Sequence, residues 1–289
     1  MTAGSQLRLL PAPQPLVERL GVEWFRSVPC APGVYRMFDA NGRLLYVGKA
    51  ANLRTRLSSY RRTSGQTRKT VRLVHQVARI EVEPCADEPS ARLRENDLIR
   101  TLRPPFNRAG TWPRAALYVR LTLDAAGLLN VACTRTPAEG DFGAFRPGVR
   151  LACAALVRLA WRLANPCVPF GDLPGRLLSD VGPWMMRHPS TAAWADDLLA
   201  FWSGDSPRWI TRCLRHLPPP TSAFDDAWTS SDLDRLAAFF GSGPARNRWL
   251  QSAVGLQRAC LLPEELDDLP ILAGRREADA SSPRTAPAG

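Results

Sequence analysis

Tyr35 and Tyr46 stand in two β-prone runs, Gly33 to Phe38 and Arg43 to Val47, separated by Asp39-Ala-Asn-Gly42. Asn-Gly is a strong tight-turn signal, so the runs form an antiparallel hairpin. The two phenols then occupy near-mirrored places on one sheet face, where they meet as a cross-strand pair, serving either packing or proton chemistry. Arg56 and Tyr60 are four residues apart on a predicted helix that Asn52 can cap, which puts a guanidinium and a phenol on one face. Arg56 there is an anion-binding group or a surface cation. Glu95 falls inside the apolar stripe Ala91, Leu98, Ile99 and Leu102 of a later helix. A carboxylate directed toward a core is costly unless a cation satisfies it, so a metal ion or a structural Arg is required.

The elements that must position these groups are legible around them. The Asn52 helix runs to about Arg62, a second helix spans Thr67 to Ala78, and Arg79-Ile-Glu-Val-Glu83 alternates like a strand. Asp87, with Pro89 in the first turn, starts a third helix that ends before Arg103-Pro-Pro. The order ββααβα makes a small α+β unit over residues 28–110. A second unit, residues 111–272, is predicted to be mixed and mainly helical. It opens with the strands Tyr118 to Thr122 and Leu128 to Ala132 and a helix from about Val149 to Leu163. Eight of the nine tryptophans lie beyond Thr111, where core filling is the expected use. Residues 1–27 read as an N-terminal extension whose first fifteen or so residues are mobile, and 273–289 as a disordered tail, because both are poor in apolar side chains.

The formal charge of +11 favours a polyanionic partner, and its distribution says where. Residues 1–110 hold 19 Lys/Arg against 9 Asp/Glu, whereas the remaining 179 residues hold 19 against 18. From Arg36 to Arg79 eleven basic residues stand with a single acid, Asp39. Lys49, Arg54, Arg61, Arg62, Arg68, Lys69 and Arg72 are the candidate phosphate-binding residues. No stretch approaches the roughly 18 uninterrupted apolar residues of a membrane span, since the most apolar segment, Leu151 to Trp161, contains Arg158. The N-terminus lacks a secretory core, and a cytoplasmic, nucleoid-associated location is expected. Seven scattered cysteines without a C-x-x-C spacing indicate neither a disulfide framework nor a zinc ribbon, and three separated histidines leave little for His-based metal or triad chemistry.

The order Gly33-Val-Tyr35, Tyr46-Val-Gly48, helical Arg56 and helical Glu95 resembles the GIY-YIG nucleases. Pro32-Gly-Val-Tyr35, Tyr46-Val-Gly-Lys-Ala50, Asn52-Leu53, Arg56-Leu57, Ser59-Tyr60, Glu95-Asn96, Leu98-Ile99, Arg103-Pro104 and Asn107 carry the wording of the UvrC branch. The resemblance implies metal-dependent phosphodiester hydrolysis of double-stranded DNA. By that likeness Glu95 holds one Mg²⁺ or Mn²⁺ ion, Arg56 stabilises the transition-state charge, and Tyr35, helped by Tyr46, takes a proton from the attacking water. A free phenol is only about a thousandth ionised at neutral pH, so nearby positive charge from Lys49, Arg56 and the metal has to lower its pKa. The sequence leaves open which tyrosine is the base, with Tyr35→Phe the variant expected to lose more. Tyr60 and Asn107 match further active-site positions and are expected to support the phosphate and the Glu95 loop.

Beyond residue 110 the likeness continues through Tyr118-Val-Arg-Leu-Thr122, Gly143-Ala-Phe145 and Phe201-Trp-Ser-Gly-Asp205. Of the clustered cysteines that bind an iron–sulfur cluster in UvrC-like proteins only Cys167 stands in a matching place, so no cluster is expected. Phe224-Asp-Asp-Ala227 and Asp232 partly match the segment with which UvrC binds UvrB, although Trp228 and Ser231 depart from it. The length is similar to the shorter excinuclease Cho arrangement, which implies a single incision on the 3′ side of a lesion in nucleotide excision repair. The alternatives are a nuclease-inactive DNA-binding or scaffold protein, and a GIY-YIG nuclease working outside repair.

Overall fold

A computed structural model describes residues 14–62, 65–107, 116–123, 128–187, 192–258 and 260–281. The chain divides into two compact units, Met1–Trp112 and Pro113–Gly289.

The first unit opens with two short helices, α1 (Pro15–Leu20) and α2 (Val22–Ser27), followed by β1 (Gly33–Phe38), β2 (Leu44–Ala50), α3 (Leu53–Ser58), α4 (Arg68–Gln76), β3 (Arg79–Pro84) and α5 (Glu88–Leu102). The strands make one antiparallel sheet in the order β2-β1-β3. Local sequence explains each helix start. Asn52, Thr67 and Asp87 each accept a hydrogen bond from the backbone N–H three residues on, satisfying a donor the helix leaves free. The Asn52 helix is shorter than expected, giving way at Ser59 to a 3₁₀ turn through Arg61 that carries Tyr60. α5 ends at Arg103, which takes a left-handed conformation (φ 47°) and turns the chain back before Pro104.

The sheet is covered on both faces. Tyr35 and Met37 on one side join Leu53, Leu57, Leu73, Val74 and Val77, while Val34 and Val47 on the other meet Ala91, Leu98 and Ile99 of α5. Leu102, expected in that stripe, is exposed. Part of the supposed extension belongs to the first of these layers, since Leu16 and Phe25 are buried there. Arg19 in α1 donates to the carbonyls of Val74, His75 and Val77 and so caps the negative end of α4. The mobility expected of the first fifteen residues concerns mainly 1–13, outside the described residues.

The second unit contains β4 (Leu117–Leu123), β5 (Leu128–Thr134), β6 (Phe142–Phe145), α6 (Val149–Ala164) and β7 (Trp184–Arg187), then α7 (Ala192–Ser203), α8 (Arg208–His216), α9 (Ala223–Ser242), α10 (Pro244–Val254) and α11 (Glu265–Ser281). Its sheet runs β6-β4-β5-β7, so two short strands join the two that sequence patterning suggests. Alternation along β4 sends Leu117 and Val119 toward α6 and the buried Trp184, Trp202 and Trp209, and sends Tyr118 toward Leu250, Leu261, Leu266, Leu269 and Ala273. The stretch expected to be disordered from residue 273 is therefore helical as far as Ser281, because α11 seals the second face of the sheet; residues 282–289 lie outside the described residues. Arg158, the charge that interrupts the apolar run, is buried in a bidentate pair with Asp232 at 2.8 and 2.7 Å. Arg162 pairs with Asp225 beside it. Among the described residues no helix is long and apolar enough to cross a membrane.

Candidate active site

The hairpin register sets Tyr35 opposite Gly48 and Tyr46 opposite Met37. The two phenols therefore share a face as a diagonal pair rather than a directly opposed one, with ring centroids 6.1 Å apart. Gly48 is what permits this: a Cβ there would stand 2.5 Å from the Tyr35 ring and hydroxyl and 2.8 Å from the Tyr46 ring. Tyr35 is buried and its hydroxyl meets that of Tyr60 at 2.9 Å. Arg56, one turn before Tyr60, donates from Nε to the Tyr35 hydroxyl at 3.3 Å and from Nη2 to the Tyr60 hydroxyl at 3.0 Å. One hydroxyl hydrogen is spent between the two phenols, which leaves one to donate elsewhere.

Glu95 reaches the same neighbourhood from α5, along the free edge of β2. That edge presents the outward backbone groups of Leu45, Val47 and Lys49. The Phe106 N–H donates to the Leu45 carbonyl, Asn107 bonds both the N–H and the carbonyl of Val47 at 2.8 and 2.7 Å, and Glu95 Oε1 accepts the Lys49 N–H at 3.1 Å. Asn107 thus braces the strand that carries Tyr46, and its contacts are with that strand rather than with a loop at Glu95. Among the described residues no Lys or Arg makes an ion pair with Glu95, so the structural Arg partner that the sequence allowed is not what satisfies it. Burial raises its pKa, while the Lys49 N–H and the charges of Lys49, Arg92 and Arg56 pull it down.

The electrostatics of the phenols differ from expectation. Burial, together with Tyr60 and Tyr46, pushes the Tyr35 pKa far up against the lowering effect of Arg56. Tyr46, which is half-buried, is pushed up to about 12 by burial, Tyr60 and Glu95, with Arg56 opposing. Lys49, expected to help lower both, instead spends its ammonium on Glu88 at 2.8 Å.

The basic run is partly neutralised by acids that are distant in sequence. Arg36 lies against Glu81 and Glu83 of the neighbouring strand, and Arg79 pairs with Glu81. Arg54, Arg62, Arg68, Lys69 and Arg72 are exposed, although Arg54 also donates to the Val28 carbonyl. The Arg61 guanidinium sits over the Phe25 ring. The first turns of α3 and α4 contain no acid, and Arg68 and Lys69 crowd the positive end of α4, an arrangement that costs helix stability unless an anion is nearby.

Known proteins are similar over this unit. Residues 31–108 match the family model of the UvrC-like GIY-YIG domain. UvrABC system protein C of Ectopseudomonas mendocina (strain ymp) is 58% identical over 76 residues, 26% of this chain and 12% of that protein. UvrABC system protein C of Hahella chejuensis is 49% identical over 84 residues, 29% of this chain and 14% of that protein. The crystal structure of the GIY-YIG N-terminal endonuclease domain of UvrC from Thermotoga maritima, bound to magnesium as its catalytic divalent cation, is 33% identical. It covers 29% of this chain and 92% of that one, with a TM-score of 0.27. The matches thus span only about an eighth of the length of the full-length relatives. Gly33-Val-Tyr35, Tyr46-Val-Gly48, Arg56 and Glu95 all fall inside the matched stretch, and residues 31–108 belong to the UvrC-like GIY-YIG nuclease domain family.

Proposed function

We propose that the protein is a metal-dependent DNA endonuclease that makes a single incision, on the 3′ side of a lesion, in nucleotide excision repair. The observation that carries this reading is the hydrogen-bonded Tyr35, Tyr60 and Arg56 cluster beside Tyr46, with a carboxylate on the β2 edge that no basic side chain among the described residues pairs with. One half-buried carboxylate fits a hard cation that keeps most of its own water, such as Mg²⁺ or Mn²⁺. Among the described residues no group of three metal-binding side chains gathers, so Glu95 would hold it almost alone. Such an ion supplies Lewis-acid polarisation of the scissile phosphate and neutralises the leaving oxygen.

The chain's own residues do the rest. Arg56, fixed by two phenol oxygens, presents the remaining face of its guanidinium to the phosphate and stabilises its extra negative charge. Tyr46 is the better base: it is the more accessible phenol and the less strongly shifted, and Glu95's charge is one of the causes holding its pKa up, so neutralising that carboxylate eases its ionisation. Tyr35, buried and bonded to Tyr60, orients Arg56. Tyr60 completes that anchor, Asn107 braces β2, and Lys49 serves through its backbone N–H to Glu95 and its pair with Glu88.

The test is a nicking assay on a single-lesion duplex with Mg²⁺. Glu95→Gln should abolish cutting and leave DNA affinity within a few-fold, because the ion serves the transition state more than ground-state binding. Full activity of that variant would remove Glu95 from the site. A second reading, a GIY-YIG nuclease that acts without UvrB, is favoured by one observation. Asp225 and Asp232, the acids matching the UvrB-binding segment, are spent on Arg162 and Arg158 inside the second unit. Cutting that is indifferent to added UvrA and UvrB would select it.

A further inference from the structure

The second unit holds a cavity of about 510 Å³ where β6 runs into α6 and α9 turns into α10. Arg146 and Arg246 both line it, and neither makes a side-chain hydrogen bond or ion pair among the described residues. The Arg246 pKa is pushed down by burial and by the neighbouring Arg146, with Asp267 acting the other way. The half-buried Arg246 is partly desolvated beside a second guanidinium, with Asp267 offsetting only part of the repulsion, a cost that an anion between the two arginines would reduce. Gly148 and Val149 at the start of the 16-residue α6 also line the space and add that helix's positive end, while at Gly243 the start of α10 coincides with the end of α9, whose opposite charges offset. The opposite wall is apolar. Phe239 is held edge-on against Phe145 at 5.4 Å and is half-buried, and Leu266 lies alongside. Arg146, Gly148, Ala238 and Ser242 are exposed, so the cavity opens to solvent along this side.

We propose that this cavity binds a nucleic-acid strand, with one backbone phosphate between Arg146 and Arg246 and the adjoining base against Phe239 and Leu266. A guanidinium pair recognises phosphate geometry, and an aromatic wall accepts any base face, the combination typical of sequence-tolerant single-strand binding. The site is independent of the cleavage chemistry in the first unit.

The test uses the full chain carrying Glu95→Gln without divalent metal, so that binding is read with cleavage silent and neither result depends on the nuclease reading. A short fluorescent single strand containing 5-bromouracil is titrated at several salt concentrations and then photo-crosslinked. Arg146→Gln with Arg246→Gln should lower the magnitude of the log–log salt slope by about 0.7, the share of one phosphate on a single strand, and abolish the crosslink to the peptide containing Phe239. Gly148→Asp gives a variant that keeps its fold, since no atom lies within 4 Å of the new Cβ and the backbone there (φ −57°, ψ −16°) is open to any L residue. Its carboxylate enters the anion site and should produce the same two losses. An unchanged slope, or a crosslink that never forms in this segment, overturns the proposal. So does displacement of the strand by phosphatidylglycerol vesicles but not by unlabelled oligonucleotide, which would make a lipid surface the occupant.

Discussion

At the residue scale, the two tyrosines that share one sheet face are not equivalent. Tyr35 has its hydroxyl committed to Tyr60 and Arg56, whereas Tyr46 is half-buried with a pKa pushed up to about 12. Tyr46→Phe should therefore lower the single-turnover rate by roughly 10²–10⁴, and Tyr35→Phe by less, with both folds intact. This reverses the ranking expected from sequence. Equal rates in both variants and the parent would leave metal-activated water as the only base. Because a base works deprotonated and this pKa lies well above neutrality, the rate should climb about tenfold per pH unit from 7 to 9. A profile flat over that range excludes a phenol with so high a pKa. The placement of Tyr35, Tyr46, Arg56 and Glu95 on a hairpin and two helices was legible because a fixed spacing carries them. The nearness of Arg56 to Tyr60 followed from their four-residue spacing, but the link of both to the Tyr35 hydroxyl did not, since it depends on how a 3₁₀ turn at Ser59 delivers Tyr60 to the sheet.

At the scale of elements, caps and turns were readable wherever a short polar side chain precedes an apolar period. Asn52, Thr67 and Asp87 each cap the helix they were expected to start or precede. What escaped are bonds between segments far apart in sequence, such as Arg19 with α4 and Asn107 with Val47, for which no local pattern exists. Asn107 is buried and replaces a missing neighbouring strand with two hydrogen bonds. Asn107→Ala should cost about 1–3 kcal/mol, measured by urea unfolding, since it leaves a strand N–H and carbonyl unpaired. The accompanying loss of rate should exceed that of an equally destabilising core variant, because β2 carries Tyr46. β6 and β7 escaped notice because each has only four residues, too few for alternation to register.

For the whole molecule, net charge favours a polyanionic partner but overstates the face available to meet it. Arg36 and Arg79 are neutralised across the sheet by acids from β3, which a count along the chain cannot see. DNA affinity should still fall steeply with salt, and Arg68→Gln with Arg72→Gln should reduce the log–log slope by about 2. An unchanged slope would move the binding face off α4. In the second unit the Arg158 and Asp232 pair is fully buried. Asp232→Ala leaves that guanidinium uncompensated and should cost about 3–5 kcal/mol, while Arg158→Met with Asp232→Leu should recover most of it. Denaturant midpoints of the three proteins decide the matter.

The sealing of β2 has a consequence for solution behaviour. A strand with open N–H and carbonyl groups on its outer rim invites the same strand of another molecule to pair with it. Here the rim is closed by the Phe106 N–H, the Asn107 amide and, at Lys49, the carboxylate proposed to serve the chemistry. Loss of the Glu95 carboxylate oxygen should therefore open this rim to self-association. A Gln at that position still offers an oxygen to the Lys49 N–H, whereas an Ala does not. The two inactive variants should part company in sedimentation, with Glu95→Gln remaining as dispersed as the parent and Glu95→Ala forming larger species as its concentration rises.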